Sequence, residues 1–170
     1  MAVMQLQFWP AEVLRTRAAE VTEFGPELAK VLEDMAETMY VENGIGLAAP
    51  QVGLSQRMIV IDVPEDEERS ANLRLLVNPE IVESVGTTLY DEGCLSFPGV
   101  NIEVKRAQQV TVKYQDAMGT EHTIEADGLE AICLQHELDH LNGINFVDYL
   151  SPLKRKLVLR ELKKTLADRH

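Results

Sequence analysis

An apolar run from Leu129 to Leu141 carries His136 and His140 four residues apart, and no other stretch constrains the possible folds so strongly. At 3.6 residues per turn the two imidazoles stand about one turn apart on one helix face, within reach of a single metal ion. Leu129, Ile132 and Cys133 precede His136 by seven, four and three residues, so the histidine face is also the core face. A metal held there lies at the edge of a dry interior. Glu137 stands to the side of the pair, placed to act on a metal-bound water as general base. Asp127 with Glu130 reads as a capping box at the helix start, and Gly143 as its stop. The competing reading is a buried helix whose histidines are satisfied by hydrogen bonds. It suits a lone histidine better than the full pattern His-Glu-x-x-His, which a chain of this size seldom contains by accident.

Zinc peptidases are the general class with this pattern, and the chain argues against them. In one large branch the helix continues to a third histidine. Here the corresponding position is Phe146, which cannot bind metal. The third ligand has to come from elsewhere, and Glu92-Gly93-Cys94-Leu95-Ser96 is the best candidate. Cys94 lies in a turn-like setting suited to a ligating thiol, whereas Cys133, on the core face, reads as a small buried hydrophobe. Two cysteines make no disulfide framework.

The 170 residues fit one domain, 1–170, with the composition of an ordinary globular protein. No apolar run is long enough to span a bilayer, and Met1–Pro10 lacks the basic start of a signal peptide, so a cytoplasmic location is expected. The net charge of −12 is unevenly spread. Lys154 to His170 holds seven Lys or Arg against two acids, a net of +5, which leaves −17 on the rest. Such a body is unsuited to specific DNA binding, but the basic tail needs an explanation.

Along the chain, Phe8-Trp9-Pro10 leads into a short helical piece, Ala11 to Thr16. Gly25-Pro26 starts a helix to about Val41 with Leu28, Val31, Leu32, Met35 and Met39 in one stripe. Gly44 to Gln51 has no period and reads as a tight loop that lets backbone approach something closely. Met58–Val63 reads as a strand, and Pro64–Ser70 as a solvated acidic turn. Leu73–Asn78 and Ile81–Val85 read as strands broken at Asn78-Pro79; Ile102–Arg106, Val110–Tyr114 and Glu121–Glu125 complete a β-rich middle. Ser151-Pro152 caps a basic C-terminal helix, about 152–167, with Leu153, Leu157, Leu162 and Leu166 on its apolar side. Strands cluster between helices, so the class is α+β: sheets packed around a central metal-binding helix, with a C-terminal helix.

Three stretches now stand in order: Gly44-Ile45-Gly46-Leu47-Ala48-Ala49-Pro50-Gln51, Glu92-Gly93-Cys94-Leu95-Ser96 and Gln135-His136-Glu137-Leu138-Asp139-His140. Together they resemble the peptide deformylases, over nearly the whole chain and in the form typical of Gram-negative bacteria. The resemblance implies antiparallel sheets, metal ligands Cys94, His136 and His140, and Glu137 as catalytic acid and base. It makes Gln51 and the Leu95 N–H oxyanion donors. Ile45, Gly46 and Gly93 become backbone positions that hold the substrate peptide extended. Leu129, Ile132 and Cys133 become the wall of a methionine pocket, with Tyr90 nearby, and Glu92 with Arg106 a supporting pair. Asn101, where close relatives carry arginine, and Tyr90, where a smaller aliphatic residue is common, depart from the pattern at the rim and bear on contacts beyond the methionine.

The implied reaction removes formyl from the N-terminal formylmethionine of newly synthesised polypeptides. One divalent ion per chain is expected: Fe(II), with Zn, Ni or Co as substitutes that the ligand types equally allow. The resemblance also implies docking of the basic C-terminal helix on the ribosome, the alternative being a solvated basic face that only balances the acidic body, and a monomer is expected. Two other functions are weighed: a zinc metallopeptidase, opposed by Phe146, and a silent metal-holding protein associated with the ribosome, opposed by Glu137 and Gln51.

Overall fold

Met58–Asp62 is apolar at four consecutive positions before Asp62, and the fold explains why. In the computed structural model, which describes residues 2–64 and 72–168, this strand (β2) is buried on both faces. Because side chains alternate along a strand, Met58 and Val60 pack under α1 (Pro26–Val41) with Leu32, Met35 and Met39. Ile59 and Ile61 pack under α2 (Gly128–Leu141) with Ala131, Leu134, Leu138 and Leu141. β2 belongs to an antiparallel sheet in the order β1-β2-β3-β6-β7, with β1 Gly46–Ala48, β3 Leu73–Val85, β6 Gln109–Gln115 and β7 Glu121–Asp127. The sheet is thus sandwiched between α1 and the histidine helix, as the α+β expectation requires.

A two-stranded antiparallel sheet, β4 (Thr88–Gly93) with β5 (Asn101–Arg106), stands apart from the first. β5 alternates strictly, turning Ile102, Val104 and Arg106 inward. Ile102 and Val104 join Phe97, Phe146, Val147 and Leu162 in a third core, on which α3 (Pro152–Ala167) rests. Ser151 accepts a bond from the Lys154 N–H and caps α3 as expected.

Several local expectations are corrected. Asp127 is the N-cap of α2 but makes no side-chain cap bond; Glu130 instead pairs with Arg74 at 3.0 Å, so the capping box does not form. Asn78-Pro79 does not end a strand. Asn78 takes a positive φ of 51°, the register shifts between Val77 and Glu80, and β3 continues through this bulge. The Asn78 side chain explains the tolerance, since it binds both N–H and C=O of Val21. Gly44–Gln51 is not only a loop: it contains β1 and the 3-10 helix Ala49–Val52. On α3, Leu162 is buried, but Leu153 and Leu157 are exposed, and the true seam runs through Val158, Leu159, Leu162 and Leu166. The acidic turn expected after Pro64 lies outside the described residues. Gly143, at φ 74° just past α2, is the helix stop.

Candidate metal and active site

The side chains of α2 are divided between two duties. One face packs on the sheet; the other presents Leu129, Ile132, Cys133, His136 and Glu137 to a cleft of about 340 Å³. β1 and the Ala49–Val52 helix bring Ile45, Gly46 and Gln51 to one wall. β4 and the turn after it bring Tyr90, Gly93, Cys94 and Leu95 to the other. Of the residues expected at the site, His140 alone lies behind the cleft, almost fully buried.

His140 is nonetheless part of the cluster. Its Nε2 lies 3.2 Å from His136 Nε2 and 3.4 Å from Cys94 Sγ, and the three ligand atoms all fall within 4.8 Å of one another. Two nitrogens held about 2.0–2.1 Å from one tetrahedral metal stand about 3.4 Å apart, so the spacing suits a shared cation. His136 Nδ1 lies 2.8 Å from Glu92 Oε1, which fixes the tautomer and leaves Nε2 as the lone-pair nitrogen facing Cys94 and His140. Burial works against a charged His136, but the Cys94 and Glu92 contacts and the Glu137 charge lift its pKa well above the usual range. Burial and the neighbouring His136 push His140 well below it. The two imidazoles cannot both hold a proton where their nitrogens meet, and a cation can replace the one they share. One thiolate with two imidazoles fits a divalent transition metal.

Glu137 lies outside this cluster. Burial raises its carboxyl to about 7. Its Oε1 has no hydrogen-bond partner among the described residues, and a Cβ added to Gly46 would lie 2.6 Å from Oε2. Gly46 therefore leaves the space the carboxylate occupies. Gln51, 1% exposed, accepts the Ala48 N–H at 2.9 Å through Oε1. That contact orients its Nε2 toward Ser96 Oγ at 3.2 Å and Cys94 Sγ at 3.6 Å. Cys133 donates weakly to Ile45 O, and burial raises its thiol, so it is a neutral wall residue. Phe146 packs edge-on against the His136 ring, 5.7 Å between centroids, and contributes shape rather than ligation.

Four residues close to the site escaped the sequence reading. Asn43 and Asp91 line the cleft, and Asp139 and Tyr149 join Arg106 behind it. Asp139 was within sight, between the two histidines of the motif. Tyr149 had no signal, because its contact depends on how the Phe146–Tyr149 turn folds back onto α2.

Comparisons with known proteins identify a family for the chain. The family model described as polypeptide deformylase matches residues 3–156. The chain is 51% identical over 164 residues to peptide deformylase 1 of Shewanella oneidensis, covering 96% of each. Its structure is similar to that of a peptide deformylase from Legionella pneumophila, with a TM-score of 0.92, 46% identity and coverage of 99% of this chain and 98% of that one. It is also similar to the Ehrlichia chaffeensis peptide deformylase solved in complex with actinonin, with a TM-score of 0.91, 39% identity and coverage of 97% and 98%. With its matched region spanning all three motif stretches and its Cys-His-His cluster intact, this chain belongs to the polypeptide deformylase family.

Proposed function

We infer that the chain hydrolyses the formamide of N-terminal formylmethionine on newly made polypeptides, releasing formate and a free amine. The observation that carries the roles is the Cys94, His136 and His140 cluster, completed by His140 from behind, beside Glu137 and Gln51 at one cleft. A divalent cation bound by the three ligands supplies, when present, an open position that acidifies water and polarises the formyl oxygen. Glu137 takes the proton of the attacking water and delivers it to the leaving nitrogen, two roles served by one carboxyl lifted to about 7. Gln51 Nε2 and the Leu95 N–H donate to the oxygen on which charge develops; loss of one such donor typically costs about 3–4 kcal/mol of barrier.

The cleft also suits the peptide. Among the described residues β1 is the outer strand of its sheet and β4 pairs only with β5, so both bring a strand edge to the cleft. Ile45, Gly46 and Gly93 on those edges hold an extended chain by backbone bonds. Leu129, Ile132 and Cys133 take the methionine side chain, and Tyr90, 40% exposed, stands at the mouth.

The resident ion in this reading is Fe(II), the location cytoplasmic, and the chain a monomeric single domain. The described helices include none long and apolar enough to cross a membrane. The exposed Lys154, Lys156, Arg160, Lys163 and Lys164 of α3 form the surface offered to the ribosome. Formate release from formyl-Met-Ala by anaerobic, Fe(II)-loaded protein tests the activity, run beside cleavage of an internal peptide bond. Formate without peptide cleavage is expected; the reverse means a peptidase. Air should inactivate the iron form and spare a nickel form, and equal air stability would remove iron as the working metal.

A further inference from the structure

The contacts behind His136 extend beyond Glu92 to three further residues, Arg106, Asp139 and Tyr149. β5 turns Arg106 into the interior, where its Nε and Nη2 grip Glu92 Oε2 and Oε1 at 2.7 and 2.9 Å. Its Nη1 donates to Asp139 Oδ2 at 2.6 Å, and the Tyr149 hydroxyl donates to the same oxygen at 2.7 Å. The Tyr149 ring lies against the guanidinium, 5.3 Å from carbon to centroid. Glu92 Oε1 is shared between Arg106 Nη2 and His136 Nδ1, so rotation of the guanidinium is felt by the imidazole.

We propose that Asp139 and Tyr149 are positioning residues for His136, holding Arg106 from outside so that Glu92 stays against Nδ1 and Nε2 stays aimed at Cys94 and His140. The inference rests on the reading of these three as metal ligands. Arg106 is on a flexible stem, and Glu92 alone occupies only one side of its fork. Asp139 occupies the other side, and being on α2 between the two histidines it ties the guanidinium to the frame that carries the ligands. Burial first and then the Asp139 bond raise the Tyr149 phenol to about 12, so it remains a donor at neutral pH. With Glu92 and Asp139 flanking one Arg106, the group carries one excess negative charge behind His136, which strengthens that ligand's basicity.

A purely architectural role for the network, pinning β5 to α2, makes a different prediction. The test uses the full-length protein loaded with Co(II), whose visible absorption reports ligand geometry. It measures chelator-triggered metal release, kcat, KM and Tm for Asp139→Asn and Tyr149→Phe, with Arg155→Ala as control. The control breaks the Arg155–Asp148 ion pair, 3.3 Å, at the same turn without touching the relay. Outer-shell partners of metal ligands typically alter affinity or activity about 10–100-fold. Metal release should accelerate about tenfold in Asp139→Asn and severalfold in Tyr149→Phe, with an altered cobalt spectrum, lower kcat and unchanged KM; the control should match wild type. Tyr149→Phe keeps the ring at a half-exposed site and decides the matter if Asp139→Asn fails to fold. Wild-type spectra and release rates in folded variants would overturn the proposal, as would a fall in Tm alone. A wild-type chain that binds no Co(II) through Cys94, His136 and His140 would instead overturn the metal reading on which it rests.

Discussion

Glu137 and Cys94 both line the cleft but stand in different relations to the ligand cluster, and substitution separates them. Cys94 Sγ belongs to the cluster of three ligand atoms, whereas the Glu137 carboxyl lies outside it, over Gly46. Glu137→Ala should keep one metal per chain while turnover falls by several orders of magnitude, which metal analysis beside kcat will show. Cys94→Ala should lose tight metal binding first; metal loss from the Glu137 variant would mean the carboxylate has been misassigned. The wall of Leu129, Ile132 and Cys133 is apolar and carries no charged partner for a side chain entering it. Formyl-norleucine peptides should therefore be cleaved within a few fold of formyl-methionine ones, and formyl-aspartate peptides hardly at all, judged by kcat/KM. Comparable values for all three would leave that wall without a selective role.

At the scale of elements, α2 works because its two faces are both committed, one to the sheet and one to the cleft. α3 shows the opposite economy, a helix anchored by a narrow seam. Leu162 is 1% exposed among Phe97, Phe146 and Val147, while Leu157 is 50% exposed. Leu162→Ala should destabilise by about 2–5 kcal/mol, the usual cost of emptying a buried leucine site. Leu157→Ala should cost no more than about 0.5 kcal/mol, as for other surface positions. Urea unfolding of the two variants checks the seam, and similar losses would show that α3 packs on a different face. The sequence expectation grouped Leu153, Leu157, Leu162 and Leu166 on one side, but at 3.6 residues per turn Leu153 and Leu157 stand roughly 140–180° around the helix from Leu162. Packing against Phe146 and Val147 shifts the contact toward Val158 and Leu159.

Over the whole molecule, charge is polarised: −17 outside the last 17 residues and +5 within them. A body of that sign is repelled by nucleic-acid phosphates, so approach to a ribosome has to use α3. The same seam determines how to test this. Truncation before α3 would remove Leu162 from the third core along with the charge, mixing a loss of packing with a loss of binding. Replacing the exposed Lys156, Arg160 and Lys163 with glutamate removes charge and leaves the seam in place. Co-sedimentation with ribosomes at low salt should be lost in that variant, while activity on short formyl peptides is retained. Wild-type binding should itself weaken steeply with salt, since exposed charges are screened within about 8–10 Å at physiological ionic strength. Equal sedimentation of the variant would sink the docking role.

The helix that carries His136 and His140, Cys94 on a separate turn as their candidate companion, and the class of fold were all legible in the sequence. Those features rest on local chemistry and on helical period, both of which are written in consecutive residues. The edges of the cleft were decided by tertiary structure. β1, at Gly46–Ala48, and β4, at Thr88–Gly93, lack a strong alternating pattern and become strands only because β2 and β5 offer them partners. The same holds for Arg106, whose inward direction follows from β5 alternation but whose partners Asp139 and Tyr149 come from elements 33 and 43 residues away. Spacing along a chain reports which side chains share a face. It carries no record of which faces meet, because burial and pairing energies are settled only when distant elements are packed together.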